Sequence, residues 1–137
     1  MTLRPVFILG GSGSAGIAVA RLVLERTTYP VILGGRNIQR LEATARTLNN
    51  EFLIDRVHAY HVDARDSDAL TRALSGCKIV VVAAPLSAYA VPVARAALRA
   101  KVDYVDLYVP WSGGGRLDEL AAEILQARRV FLTQAGS

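Results

Sequence analysis

Cysteine is nearly absent from this sequence of 137 residues, in which Cys77 is the only one. A disulfide within the chain is therefore excluded, and thiolates cannot assemble a metal cluster. The two histidines, His58 and His61, lie three positions apart in a predicted strand, so they face opposite sides and cannot form a ligand pair. We expect no metal site, and the scarcity of cysteine favours a reducing, cytoplasmic compartment.

Long apolar runs and clusters of like charge are also missing. No uncharged stretch is longer than residues 79–94, which are too short to span a membrane and contain two prolines. The first predicted strand begins so near Met1 that a secretory leader has no room. The net charge of +4 comes from scattered arginines, which is typical of a solvated surface rather than a nucleic-acid groove. We expect neither a membrane nor a nucleic acid as a partner.

What the sequence does contain is typical of one globular domain, with 52% hydrophobic and 20% charged residues. Apolar runs alternate with helical patterns along the whole chain. This alternation predicts an α/β doubly wound Rossmann fold, a six-stranded parallel sheet of order 3-2-1-4-5-6 with helices on both faces. The strands are predicted at 6–9, 31–33, 56–62, 79–83, 104–107 and 130–133. The helices are predicted from 14 to before 30, around 41–48 with an end near 49–50, from a cap at Ser67 through Leu74, and at 91–100 and 117–127. A loop is predicted at 108–115 from its proline and glycine content.

A glycine cluster follows the first strand directly, where residues 10–16 read GGSGSAG. Within it, Gly11, Gly13 and Gly16 fit G-x-G-x-x-G, which allows a tight turn, close approach to a pyrophosphate and close packing of helix on strand. The unpaired N–H groups of the helix that begins near Ser14 would hold the phosphates. A dinucleotide is the ligand that this pattern predicts.

The end of the second strand favours NADP over NAD. An NAD site normally places Asp or Glu there to hold the ribose hydroxyls, whereas this sequence has Gly34, which opens space and removes a carboxylate that would repel a 2′-phosphate. Arg36, two residues later, offers a guanidinium fork for that phosphate. Arg40, one turn along the next helix, is either a second phosphate contact or an exposed helix residue.

Five segments carry a more specific resemblance: ILGGSGSAG, ILGGRN, VDARD, VVVAAP and KVDYVDL. Together they resemble the amino-terminal NADP-binding domain of the saccharopine dehydrogenase-like family, over nearly the whole chain. This family implies an NAD(P)-dependent oxidoreductase that forms or cleaves carbon–nitrogen bonds in amino-acid-derived or polyamine substrates. The sequence departs from the family pattern at residues 108–111, YVPW, where relatives commonly have a short Ser/Gly-Gly-Glu turn.

The resemblance also implies roles for individual residues. Asp63 would lie by the adenine, or it could cap the following helix. Asp106 would face the substrate crevice, or it could accept hydrogen bonds from loop amides. Ala83, Ala84 and Pro85 would flank the nicotinamide ribose. The complete set of expected cofactor-binding residues is Gly11, Gly13, Ser14, Ala15, Gly16, Arg36, Asn37, Arg40, Asp63, Ala83, Ala84 and Pro85.

Relatives in this family continue beyond the equivalent of residues 134–136 into a second domain that holds the substrate. We therefore expect residues 1–137 to be the N-terminal NAD(P)-binding part of a longer protein that takes a small-molecule substrate, inactive on its own and compatible with a homodimer. Two other functions stay open. One is a regulatory module that senses NADP without turnover. The other is a short-chain dehydrogenase, which needs a Tyr-x-x-x-Lys pair that the sequence lacks.

Overall fold

A computed structural model describes residues 3–84, 90–107, 121–126 and 129–132. Strands and helices alternate along these residues. In chain order they are β1 (Val6–Leu9), α1 (Ser14–Arg26), β2 (Val31–Gly35), α2 (Ile38–Phe52), β3 (Val57–His61), α3 (Ser67–Leu74), β4 (Ile79–Val82), α4 (Ala90–Ala100), β5 (Asp103–Asp106), α5 (Ala121–Gln126) and β6 (Phe131–Leu132).

All strand pairs are parallel, and the sheet has the order β3-β2-β1-β4-β5-β6. The predicted doubly wound α/β class is confirmed. Five strands of four or five residues, in the order 3-2-1-4-5, make up the body of the sheet. The two-residue β6 pairs with β5 at its outer edge. Since the chain order reverses between β1 and β4, a crevice is expected above their carboxyl ends.

The sheet separates two apolar cores, and the central strands serve both because their side chains alternate between the faces. In β1, Phe7 and Leu9 pack in one core and Val6 and Ile8 in the other. The first core contains apolar side chains of α3 and α4 and also Ile124 of α5, while the second contains those of α1 and α2. Each fully buried large apolar side chain contributes roughly 1.5–3 kcal/mol.

Two helix boundaries differ from the predictions because side chains bond to the backbone. Asn49 does not end α2, since its amide accepts from the Val57 N–H at 3.0 Å and donates to the Val57 carbonyl at 2.9 Å. The helix therefore runs on to Phe52 and ends at Leu53, in the left-handed region at φ 55°. The cap of α3 is Asp66, not Ser67, because Asp66 Oδ1 accepts from the Ala69 N–H at 3.0 Å.

Arg56 ties the start of β3 to the end of α1. Its guanidinium donates to the carbonyls of Leu24 at 3.0 Å, Thr27 at 3.0 Å and Tyr29 at 2.8 Å. Carbonyls at the end of a helix have no helical donor and carry the negative end of its dipole, so a cation there is favourable. This contact holds α1 and β2 in register with β3.

The structure also describes Cys77, the possible metal ligands and the lengths of the helices. Cys77 is buried just before β4, and burial raises the pKa of its thiol to about 11. Within the described residues, no group of three or more His, Cys, Asp and Glu side chains could hold a metal ion. Among those same residues, no helix combines the length and the apolar character needed to cross a membrane. The predicted loop at 108–115 lies outside the described residues, as do parts of the last predicted helix and strand.

Candidate functional site

The glycine loop is held against the end of β2 by its own backbone. The N–H groups of Gly10 and Gly11 both donate to the Gly34 carbonyl, at 2.9 and 3.3 Å, and the Gly13 N–H donates to the Gly10 carbonyl at 3.2 Å. Gly10 adopts φ +87°, where a side chain would be strained. The chain thus turns sharply from β1 into α1, as the glycine pattern predicts.

Gly16 and Gly13 lack side chains for different reasons. A Cβ at Gly16 would collide with the Gly10 carbonyl oxygen, so a glycine is needed there for α1 to pack on the loop. A Cβ at Gly13 would meet only that same oxygen, at an ordinary 3.6 Å. Packing within the protein therefore does not require glycine at position 13.

The amino terminus of α1 is open to an anion. Gly13 is its N-cap, no side chain caps it, and its first turn carries no acidic residue. By contrast, Asn37 caps α2 and Asp66 caps α3. The first amides of α1, at Ser14 and Ala15, precede any helical acceptor, and the helix dipole adds positive potential. A helix terminus of this kind is suited to binding a phosphate group.

A pocket of about 490 Å³ opens beside this loop, at the carboxyl ends of β1 to β4. It brings together four of the predicted cofactor residues, Arg36, Asn37, Asp63 and Ala84. Most of the others do not line it, namely Gly11, Gly13, Ser14, Ala15, Gly16, Arg40 and Ala83. Pro85 lies outside the described residues. The complete lining is Leu9, Gly10, Ser12, Gly34, Gly35, Arg36, Asn37, Val62, Asp63, Ala64, Arg65 and Ala84.

Arg36 lies on the pocket wall directly after β2, with its side chain exposed. Among the residues that the structure describes, no hydrogen bond or salt bridge engages its guanidinium, although its charge helps to lower the pKa of Asp63. The side-chain oxygen of Asn37 already has a hydrogen-bond partner, since Oδ1 accepts from the Arg40 N–H at 3.1 Å. Arg40 is exposed on α2 and does not line the pocket.

Packing in the core explains why position 34 is a glycine, and the sequence alone did not reveal this. A Cβ at this position would overlap the ring of Phe7, which is fully buried in the core. The missing side chain at Gly34 is therefore explained by packing, and the space it leaves belongs to Phe7. At Gly35, the last residue of β2, a Cβ would meet only Leu41, at 3.5 Å. A carboxylate would fit at Gly35 and not at Gly34.

Arg65 is the main site residue that sequence analysis missed. Its Nη2 lies 2.7 Å from Asp63 Oδ2, and its Nε donates to both carboxylate oxygens, at 3.1 and 3.2 Å. The Arg65 backbone N–H adds a fourth bond to Asp63, at 2.9 Å. These hydrogen bonds hold the pKa of Asp63 well below its usual range. Since Asp66 caps α3, the interpretation of Asp63 as a helix cap is wrong.

The other residues that the predictions missed are small or apolar: Leu9, Gly10, Ser12, Gly35, Val62 and Ala64. A general rule could have found some of them, because residues at the carboxyl ends of parallel strands share one edge of the sheet. Arg65 had a local signal too, in the Asp-x-Arg spacing of VDARD.

Asp106 ends β5 and pairs with a buried phenol. The Tyr104 hydroxyl donates to Asp106 Oδ2 at 2.9 Å, and Tyr104 is fully buried. Burial, followed by the nearby carboxylate, raises the pKa of Tyr104 far above its usual range. Asp106 is half-buried and does not line the pocket. The contact holds the carboxylate on the same face of the sheet as Tyr104.

Comparison with known proteins identifies one family and several solved structures with a similar fold. A model of the family described as saccharopine dehydrogenase NADP binding domain matches residues 6–130. The fold is similar to the apo saccharopine dehydrogenase (L-Glu forming) of Saccharomyces cerevisiae, with a TM-score of 0.75 and 23% identity over 96% of this chain. It is also similar to a Rossmann-fold NAD(P)-binding family protein from Shigella flexneri, with a TM-score of 0.69 and 18% identity over 96% of this chain.

A short-chain dehydrogenase/reductase from Veillonella parvula, solved in complex with NADP, has a similar fold as well, with a TM-score of 0.63 and 14% identity over 95% of this chain. The comparison with curated proteins gave no match. This chain spans 27% of the yeast enzyme, 66% of the Shigella protein and 67% of the Veillonella protein. These structures share the fold, and the family match adds the cofactor.

Proposed function

The chain belongs to the family of saccharopine dehydrogenase NADP-binding domains, and from this premise we propose that it is the cofactor-binding portion of an NADP-dependent oxidoreductase. NADP binding is the property of the family. The proposal adds which residues hold the cofactor and what the whole protein does with it. When bound, the nicotinamide supplies hydride transfer, while the protein binds and orients the cofactor.

The observation that carries this proposal is the uncapped amino terminus of α1 directly after a loop whose residues Gly10 and Ser12 line the pocket. Gly13, Ser14 and Ala15 would present N–H groups to the pyrophosphate at the uncapped end of the helix. Arg36 would take the 2′-phosphate on the wall after β2. Asp63 would lie by the adenine, and Ala83 and Ala84, after β4, would flank the nicotinamide ribose.

The substrate proposal rests on the family alone. An amino-acid-like or related small molecule would be held by a second domain, with residues 1–137 as the N-terminal cofactor domain of a longer protein. The chain's 27% share of the yeast enzyme supports this arrangement. Asp106, held by Tyr104 at the end of β5, is the residue we propose to face the substrate crevice. The single, buried cysteine supports a cytoplasmic location.

A short-chain dehydrogenase is a weaker proposal despite the shared fold. Such an enzyme needs a tyrosine four residues before a lysine as its proton-transfer pair. The only lysines are Lys78 and Lys101, and the residues four positions earlier are Leu74 and Ala97. Similarity at 14% identity shows the fold and does not supply the missing pair.

Isothermal titration of the purified chain with NADPH tests the proposal directly. We expect saturable binding of one cofactor per chain. NADH should bind more weakly under the same conditions, because it lacks the 2′-phosphate that Arg36 would take. Absence of saturable NADPH binding at millimolar cofactor would contradict the proposed function.

A further inference from the structure

The pocket wall after β3 holds the Asp63 carboxylate in the same pocket as Arg36, to which the proposed cofactor would bring its 2′-phosphate. Asp63 and Arg36 line the same pocket from neighbouring strands, and the Arg36 charge reaches Asp63. An unscreened carboxylate at this place would repel a 2′-phosphate, as the acidic residue of an NAD site does. A site for NADP that also holds an Asp on its wall needs a means of neutralising it.

Arg65 provides that means through an exposed ion pair with fork geometry. Its guanidinium engages Asp63 through Nε and Nη2, which is the fork arrangement that matches a carboxylate. The backbone N–H of Arg65 also donates to Asp63 Oδ1. Asp63 and Arg65, two positions apart in the sequence, are therefore joined by both side-chain and backbone hydrogen bonds. Because both residues line the pocket, their charges cancel inside it.

The ionisable residues that line the pocket are Arg36, Asp63 and Arg65. Because the charges of Asp63 and Arg65 offset each other, Arg36 supplies the net positive charge of the pocket. With Arg65 removed, the same wall would carry one cation and one anion, and Arg36 would be drawn toward Asp63. The other salt bridges in the described part of the chain lie outside this pocket, so no neighbouring cation is paired with Asp63 in its place.

We propose that Arg65 is a specificity-determining positioning residue, which masks the Asp63 carboxylate so that the pocket accepts the 2′-phosphate of NADP. The inference rests on the proposed function, since it assumes that the dinucleotide binds in this pocket. It assigns to Arg65 an action through Asp63 and requires no direct contact between Arg65 and the phosphate.

A double-mutant cycle tests the inference. Dissociation constants for NADPH and NADH are measured by calorimetry at fixed ionic strength for wild type, Arg65→Gln, Asp63→Asn and the double variant. We expect Arg65→Gln to weaken NADPH at least tenfold and NADH less than threefold. Adding Asp63→Asn should restore NADPH affinity to within threefold of the Asp63→Asn single variant.

Arg21→Gln is the matched control. It also removes one positive charge and breaks a salt bridge, because Arg21 pairs with Glu51 at 2.8 Å, away from the pocket. It should leave both affinities within twofold of wild type. Thermal unfolding of every variant separates a loss of fold from a loss of affinity. Arg65→Lys, which keeps the charge, should retain more of the preference for NADPH than Arg65→Gln.

The outcomes separate the two proposals. If wild type binds no NADPH, the proposed function fails. If wild type binds NADPH but folded Arg65→Gln keeps the wild-type preference over NADH, the masking role is overturned while the function stands. If Arg65→Gln weakens NADPH and Asp63→Asn gives no rescue, Arg65 acts without Asp63 and the inference is also overturned.

Discussion

At the scale of single residues, the glycines of the loop divide between folding and binding. Gly16 lacks a side chain because α1 packs directly on the loop backbone, whereas the space at Gly13 is free within the protein. Sequence analysis identified both from their spacing, but it could not separate the two roles. The distinction needs the distance from each Cβ position to its neighbours, which only the folded chain supplies.

Alanine substitutions at these two glycines should affect different properties, cofactor binding at Gly13 and folding stability at Gly16. Gly13→Ala should cost less than about 1 kcal/mol of folding free energy, since the backbone there is extended and the new methyl group has room. It should weaken NADPH at least about tenfold by displacing the pyrophosphate from the helix amides. Gly16→Ala should destabilise the fold by about 1–3 kcal/mol through overpacking. Urea unfolding and calorimetric titration measure the two quantities, and equal losses of stability would contradict the assignment.

A carboxylate placed after β2 should also behave differently at adjacent positions. Gly35→Asp is sterically allowed and should weaken NADPH at least about tenfold while leaving NADH bound, because the new charge repels the 2′-phosphate. Gly34→Asp should instead lower stability, because its side chain would meet the buried ring of Phe7. Thermal melts and titrations with both cofactors distinguish the two variants. A stable Gly34→Asp protein would contradict the packing explanation.

At the scale of the elements, hydrophobic periodicity was sufficient to predict the strands and helices, and their ends depended on side-chain contacts. The paired apolar runs of β1 and β4 are buried on both faces, so their pattern is strong. The end of α2 could not be predicted, because Asn49 bonds to β3 rather than to its own helix. Arg65 was missed although its partner Asp63 is only two residues away, because the pocket that both residues line forms only where the strand ends meet.

The Arg56 contact gives a prediction at this scale. Arg56→Met removes three hydrogen bonds to carbonyls at the end of α1 while keeping a long apolar stem. We expect a loss of about 2–4 kcal/mol in the free energy of unfolding, as charged hydrogen bonds are lost and partly buried carbonyls lose their donors. Arg46→Met, at an exposed position on α2, should change stability by less than about 0.5 kcal/mol. Equal effects in urea unfolding would show that Arg56 is merely a surface residue.

At the scale of the whole molecule, the described residues bring together a pocket and, beside it, the uncapped amino terminus of α1, in a chain that matches an NADP-binding family. The pocket is lined by two guanidinium groups and by the Asp63 carboxylate, which Arg65 engages. Asp106, the remaining candidate for proton transfer, is engaged by Tyr104 at the end of β5. The family resemblance predicts that a second domain holds the substrate, and this stays a prediction.

The purified chain should therefore bind NADPH and consume none. Absorbance at the NADPH band, followed with a panel of small amino and keto acids, should stay constant over hours at saturating cofactor. Binding without turnover is expected because the chain would orient the cofactor while a second domain holds the substrate. Steady consumption of NADPH would show that a complete active site lies within these residues.

The most direct test of the account compares NADPH and NADH binding to wild type and Arg36→Ala by calorimetry at one ionic strength, with Arg46→Ala as the charge-matched control on the exposed face of α2. Hydrogen bonds to charged groups contribute roughly 1.5–3 kcal/mol, and about 1.4 kcal/mol is tenfold in affinity. Arg36→Ala should thus weaken NADPH about ten- to a hundredfold and leave NADH nearly unchanged. Equal weakening of both cofactors would show that Arg36 supports the loop and does not recognise the phosphate.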